Sequence, residues 1–187
     1  MKVFEFVEDM DGFCPWTTED GSVARISDSV AVGAPVAATW APPRGHVRKI
    51  SGLRRGDFPC WVDPLFSKRA RESLEDLLNP HGEWLPVITT TAGEFFVYNV
   101  TTVINCVDHE RSRLARTADG LIYGARRLEF HAAAIGGRAC FRVPEGITSS
   151  FYMLGDVVDR VEALNLRGLA PLEIWDSELG ARHLGLI

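Results

Sequence analysis

Four cysteines, five histidines and one imidazole flanked by two carboxylates are the residues of this sequence best equipped for chemistry. Cys60 or Cys106 can serve as a nucleophile if a histidine approaches in space and takes the thiol proton. Asp108-His109-Glu110 offers acid and base groups side by side, and His81 follows a predicted helix end, where the helix dipole tunes its charge. A small-molecule or catalytic site would have to gather residues such as His81, Cys60, Asp108 and His131 into one concave pocket. The spacing argues for plainer roles. Adjacent side chains on a loop diverge, a histidine after a helix is a common stop residue, and Cys106 ends an apolar strand, where a thiol packs as a small core residue. Cys14, Cys60, Cys106 and Cys140 form no Cys-x-x-Cys pair and have no histidine at zinc spacing. The sequence contains no Gly-x-Ser-x-Gly elbow, phosphate loop, dinucleotide fingerprint or His-Glu-x-x-His helix. It predicts no enzyme, no cofactor and no metal.

The elements that would position these residues follow from hydrophobic period and turn chemistry. Lys2 to Val7 suits a short strand. The region from there to about Gly56 is rich in proline and glycine, so its strands must be short and turn-bounded. Ser67 is an N-cap candidate, with Ala70, Leu74, Leu77 and Leu78 on one face, which predicts a helix over 67–78 with Phe66 as an apolar staple. Trp84 to Ile88 and Phe95 to Ile104, joined through Ala92-Gly93, predict a hairpin whose second strand is apolar on both faces and so lies centrally in a sheet. Asn99 in that strand reads as a structural hydrogen-bonder. Asp108 to Gly120 reads as a polar, exposed excursion. Arg127 to Ile135 and Arg138 to Val143 predict a second hairpin about Gly136-Gly137. Val157, Val158, Val161 and Leu164 predict a helix over 155–165, and Leu172 to Trp175 a closing strand. Strands and helices do not alternate regularly, so the expected class is α+β, a largely antiparallel sheet with two main helices.

At 187 residues, 46% hydrophobic and 24% charged, the chain has an ordinary globular composition. One domain over 1–187 is expected, with 1–55 as an irregular amino-terminal lobe. The formal charge is −5. Short basic clusters stand at His46 to Lys49, Arg54-Arg55 and Arg126-Arg127, which predicts no nucleic acid partner. The acidic balance pairs weakly with a basic partner. Glu5, Glu8 and Asp9 interrupt the first residues, the reverse of an export signal, and the apolar stretch Val30 to Trp40 is too short and interrupted to span a bilayer; a cytoplasmic protein is expected. Of the five tryptophans, Trp16 and Trp40 lie in proline-containing segments and are expected to be the exposed ones.

The order of several segments is itself informative: Asp57 and Trp61, the Phe66-Ser67 helix, Glu83-Trp84-Leu85-Pro86-Val87, Phe96-Val97-Tyr98-Asn99-Val100, Cys106-Val107-Asp108 with Ser112, Phe141-Arg142-Val143, and Leu166-Arg167-Gly168-Leu169. From about Gly56 to Trp175 this order resembles a bacterial family of immunity proteins of polymorphic-toxin systems, long catalogued as a domain of unknown function. The resemblance implies a protein that binds and blocks a cognate toxin domain in a stoichiometric complex, without catalysis. Its motifs are mostly apolar and mark the fold. Trp16, Asp108, Glu110 and Arg113 are the candidate contact residues, Trp16 because tryptophan anchors interfaces and the others because their loop is polar.

Overall fold

In the computed structural model of this chain, residues 1–20, 33–91, 93–145, 147 and 151–182 are described. Among these residues the architecture is α+β, with several sheets and three α-helices. Strand β1, Lys2–Glu5, lies at the centre of a five-stranded antiparallel sheet. On one side it pairs with β11, Tyr152–Leu154, which pairs in turn with β10, Cys140–Phe141. On the other side lies β12, Leu172–Asp176, followed by β13, Gly180–Ala181. Side chains alternate across this sheet, as the two-residue period of a strand requires. Val3, Phe141, Tyr152 and Leu154 enter one core, while Cys140, Phe151 and Met153 enter another.

The second core is shared with a three-stranded sheet made of β4, Leu65–Ser67, β7, Phe95–Val100, and β5, Gly82–Pro86, with β7 in the middle. Tyr98 and Val100 of β7 face this core, and Phe95 and Val97 face a third one. The central position expected for this strand is observed, and so is its antiparallel pairing with β5. Helix α1, Lys68–Leu78, fills the shared core with Ala70, Leu74 and Leu78; helix α3, Gly155–Ala163, does so with Val157, Val158 and Val161. The Ser67 side chain accepts the Ala70 N–H, so the expected N-cap forms. Phe6, Phe58, Phe66, Tyr98 and Phe151 meet edge-on or stacked with centroids 4.9 to 6.0 Å apart, a geometry that adds to area burial.

The described part of the amino-terminal third is built into the fold. Beyond β1, strand β2, Trp16–Thr18, pairs with β3, Arg44–Val47, and β3 pairs in parallel with β6, Ile88–Thr89. Cys14, Trp16, Val36 and Val47 close the third core against Leu65, Leu85, Phe95 and Val97. Most of the apolar stretch Val30 to Trp40 is described from Gly33 onward, and its first residues, with Ala92 of the expected hairpin turn, lie outside the described residues.

Two expectations are corrected. The segment after Arg127 is not a strand running to Ile135: β9, Ile122–Arg127, ends there, and Ala132–Ile135 forms a one-turn helix, α2. Three consecutive alanines favour the helical turn, and Gly136, at φ +62°, ends it in a conformation open mainly to glycine. The Asp108 to Gly120 excursion is exposed but not structureless, since it holds β8, Arg113–Arg116, which among the described residues pairs only with β9.

Candidate partner-binding surface

Polar residues between Asp57 and Gly168 hold the fold together. Asp57 accepts from the Ser67 hydroxyl at 2.9 Å, from Arg69 at 3.0 Å and from the Arg167 N–H at 3.0 Å, tying α1 to the loop after α3. Glu83 accepts the Val36 N–H at 2.5 Å, the Ala37 N–H at 3.2 Å and the Asn99 amide at 2.8 Å; Asn99 also donates to the Ala34 carbonyl at 3.0 Å. The structural role expected for Asn99 is the one observed. Tyr98 donates to the Leu78 carbonyl at the end of α1 at 2.6 Å. Gly168, at φ +100°, lies where a Cβ would come within 2.7 Å of the Phe58 carbonyl oxygen.

Glu129 organises the other end of the molecule. Its carboxylate, with the side chain only 1% exposed, accepts from Arg127 at 2.5 Å, from the Trp175 indole at 2.9 Å and from the Ala181 N–H at 3.3 Å, with Arg111 at 3.8 Å. Its backbone N–H donates to the Ser112 hydroxyl at 3.0 Å. Burial alone would raise its pKa; the hydrogen bonds from Arg127, Trp175 and Ala181, with the charge of Arg111, outweigh that and hold it below the usual carboxylate value. The residue thus pins the Asp108 loop, the β8–β9 hairpin and the β12–β13 turn to one point.

Of the candidate contact residues, Glu110 and Arg113 are exposed at the base of that hairpin. Asp108 is half-buried, and its carboxylate accepts the N–H groups of Glu110 and Arg111 at 3.1 Å each, so it shapes the loop that presents them. His109, between them, pairs with Glu145 at 2.6 Å. Trp16 is corrected: it is 3% exposed, with its ring 4.8 Å from that of Trp61, because β2 turns it into the third core. Trp40 is half-buried and donates to the Pro86 carbonyl at 2.8 Å.

His81, Cys60, Asp108 and His131 occupy different surroundings. His81 Nε2 accepts the Ala139 N–H at 3.3 Å, and burial, helped by the nearby Arg138, lowers its pKa. Cys60 lies beside Glu8, and burial raises its thiol pKa, the reverse of activation. Asp108 and His131 flank the bridge between Val107 and Phe130. Burial pushes the thiols of Cys106 and Cys140 up to about 12. Among the described residues no three His, Cys, Asp or Glu side chains gather as a metal site requires. An open cleft of about 470 Å³ runs along α3, lined by Phe4, Leu154 and Val158 with Asp156, Asp159 and Glu162; none of the four residues above lines it.

The feature that sequence reading missed is the β8–β9 hairpin. Residues 111–127 hold Arg111, Arg113, Arg116, Arg126 and Arg127 against Asp119 alone, a charge of +4 within a chain of −5, which leaves −9 for the rest. Its signal in the sequence is the density of arginine over one short stretch, spread among residues that are mostly not adjacent. Leu114 and Ala125 hold the hairpin to the core, while Leu121 and Tyr123 are 66% and 64% exposed.

No family model matches the chain, and no curated protein matches it. No helix of the described residues is long and apolar enough to cross a membrane.

Proposed function

We propose that this chain is a binding protein that neutralises a bacterial toxin domain by forming a stoichiometric complex with it, through the loop 108–113 and the β8–β9 hairpin. The observation that carries this reading is the division of labour among the polar residues. Asp57, Glu83, Asn99 and Glu129 are consumed in holding the fold, whereas exposed arginine, tyrosine and leucine collect on one hairpin. Tyrosine and arginine are the residue types that dominate binding energy at protein interfaces. The order of segments from Asp57 to Leu169, similar to that of immunity proteins, supplies the biological setting, a cytoplasmic protein made beside its toxin.

The test is co-expression with the product of the gene immediately upstream. A one-to-one complex that survives purification, together with restored growth of cells making that product, is the expected result. Continued toxicity with no complex, when both proteins are well expressed, contradicts the reading. An interface of ordinary size buries about 1,200–2,000 Å², so the hairpin supplies its centre and the surrounding loop its rim.

A further inference from the structure

The pairing of β8 with β9 is uneven. Arg113 faces Arg127, Leu114 faces Ala125, Ala115 faces Gly124 and Arg116 faces Ile122, with register shifts in two places. Tyr123 and Arg126 are the residues left without a counterpart. They are also the two residues of β9 that are exposed. A β-bulge re-aims the side chain of its extra residue and is often found where a strand meets a ligand. At each register shift one exposed residue is left unpaired, a tyrosine and an arginine. Arg113 and Arg116 are the exposed residues of β8, and Leu121 stands exposed at the tip. Among the described residues the hairpin also forms a sheet of two strands alone, so neither outer edge has a strand partner there.

We infer that the β8–β9 hairpin is an arm that recognises an acidic, extended protein segment, with Arg113, Arg116 and Arg126 pairing to its carboxylates and Tyr123 with Leu121 packing on an apolar residue between them. The inference rests on reading the chain as a binding protein and adds the chemistry of its partner. It reverses the expectation drawn from net charge. Charges separated by more than about 8 Å are screened at physiological salt; with Arg111 and Arg127 held by Glu129, the exposed Arg113, Arg116 and Arg126 against Asp119 set the local charge of the arm. The same charges favour a protein segment over nucleic acid. A long polyanion reaching past the arm meets a body of charge −9, whereas a short acidic segment touches the arm alone. Arginine pairs with carboxylates in a fixed two-pronged geometry, and an extended segment can add its backbone to a free strand edge.

The test titrates the full chain with a fluorescein-labelled short peptide of alternating glutamate and leucine, followed by fluorescence anisotropy. A lysine–leucine peptide and a single-stranded RNA of similar length serve as comparisons. The acidic peptide is expected to bind, to weaken on raising salt, and to weaken about tenfold or more in Arg113→Glu/Arg126→Glu and in Tyr123→Ser. Asp156→Lys/Asp159→Lys, in the cleft along α3, is expected to leave that affinity unchanged. Circular dichroism and the thermal midpoint establish that each variant folds. Equal binding of the acidic and basic peptides overturns the inference, as does acidic-peptide binding that the arm variants do not weaken. Tighter binding of the RNA, lost in the arm variants, overturns it in favour of nucleic acid. Peptide binding without a complex with the upstream product keeps the arm and removes the toxin reading. A complex and rescue without peptide binding do the reverse.

Discussion

At the scale of single residues, the chain uses its buried charges as fasteners. Glu129→Ala strands the Arg127 guanidinium, the Trp175 indole and the Ala181 N–H without their acceptor. Arg127 is 41% exposed and can turn to water, so the loss expected in urea unfolding is that of leaving the buried Trp175 indole N–H unsatisfied, about 1–3 kcal/mol. The Glu129 pKa lies below its ordinary value of 4.5, so its contribution is complete above that pH and is lost as pH falls through the folded value. Glu8 has the opposite sign. Burial, with the nearby Asp63 carboxylate, raises its pKa from 4.5 to about 7. Between those values the folded chain holds a proton that the unfolded chain has released, so stability is greatest at the acid end of the window and falls as pH rises. The full penalty above pH 7 is on the order of 3 kcal/mol. Glu8→Gln is therefore expected to raise the thermal midpoint at pH 8 and to change it little near pH 4; equal gains at both would show that the carboxylate proton is not the cause.

At the scale of elements, two joints are open to direct test. Ser67→Ala removes both the cap on the Ala70 N–H and the hydroxyl held by Asp57, and should cost about 1–2 kcal/mol in chemical denaturation. Gly168→Ala places a Cβ against the Phe58 carbonyl at a backbone angle that side chains avoid. It is expected to cost about 1–3 kcal/mol or more, read as a lowered thermal midpoint. The helix after Ser67 and the β5–β7 pair were legible in the sequence because cap, period and apolar faces agree locally. The turn of helix at Ala132–Ile135 was not, since its short apolar run suits strand and helix alike and the glycine pair favoured the hairpin. Burial of Trp16 depends on β3 and Trp61, which are distant in sequence, so proline content misled. The arm was hidden for a related reason: its arginines are spaced along two strands, and only the pairing of β8 with β9 brings them into one hairpin.

At the scale of the whole molecule, three cores share two sheets that are buried on both faces, and the hairpin and loops outside them are the surface that the proposed recognition uses. Such a frame holds a contact surface rigid at its root, at Glu129, and exposed at its tip, an arrangement that limits the ordering cost of association. The central claim is that partner binding occurs on this arm. Its most direct test is hydrogen–deuterium exchange of the chain alone and in complex with the upstream gene product. Protection on binding that is concentrated in residues 108–127 is the result predicted here. Protection concentrated instead along α3 and its cleft, with the hairpin exchanging as freely as before, would contradict it.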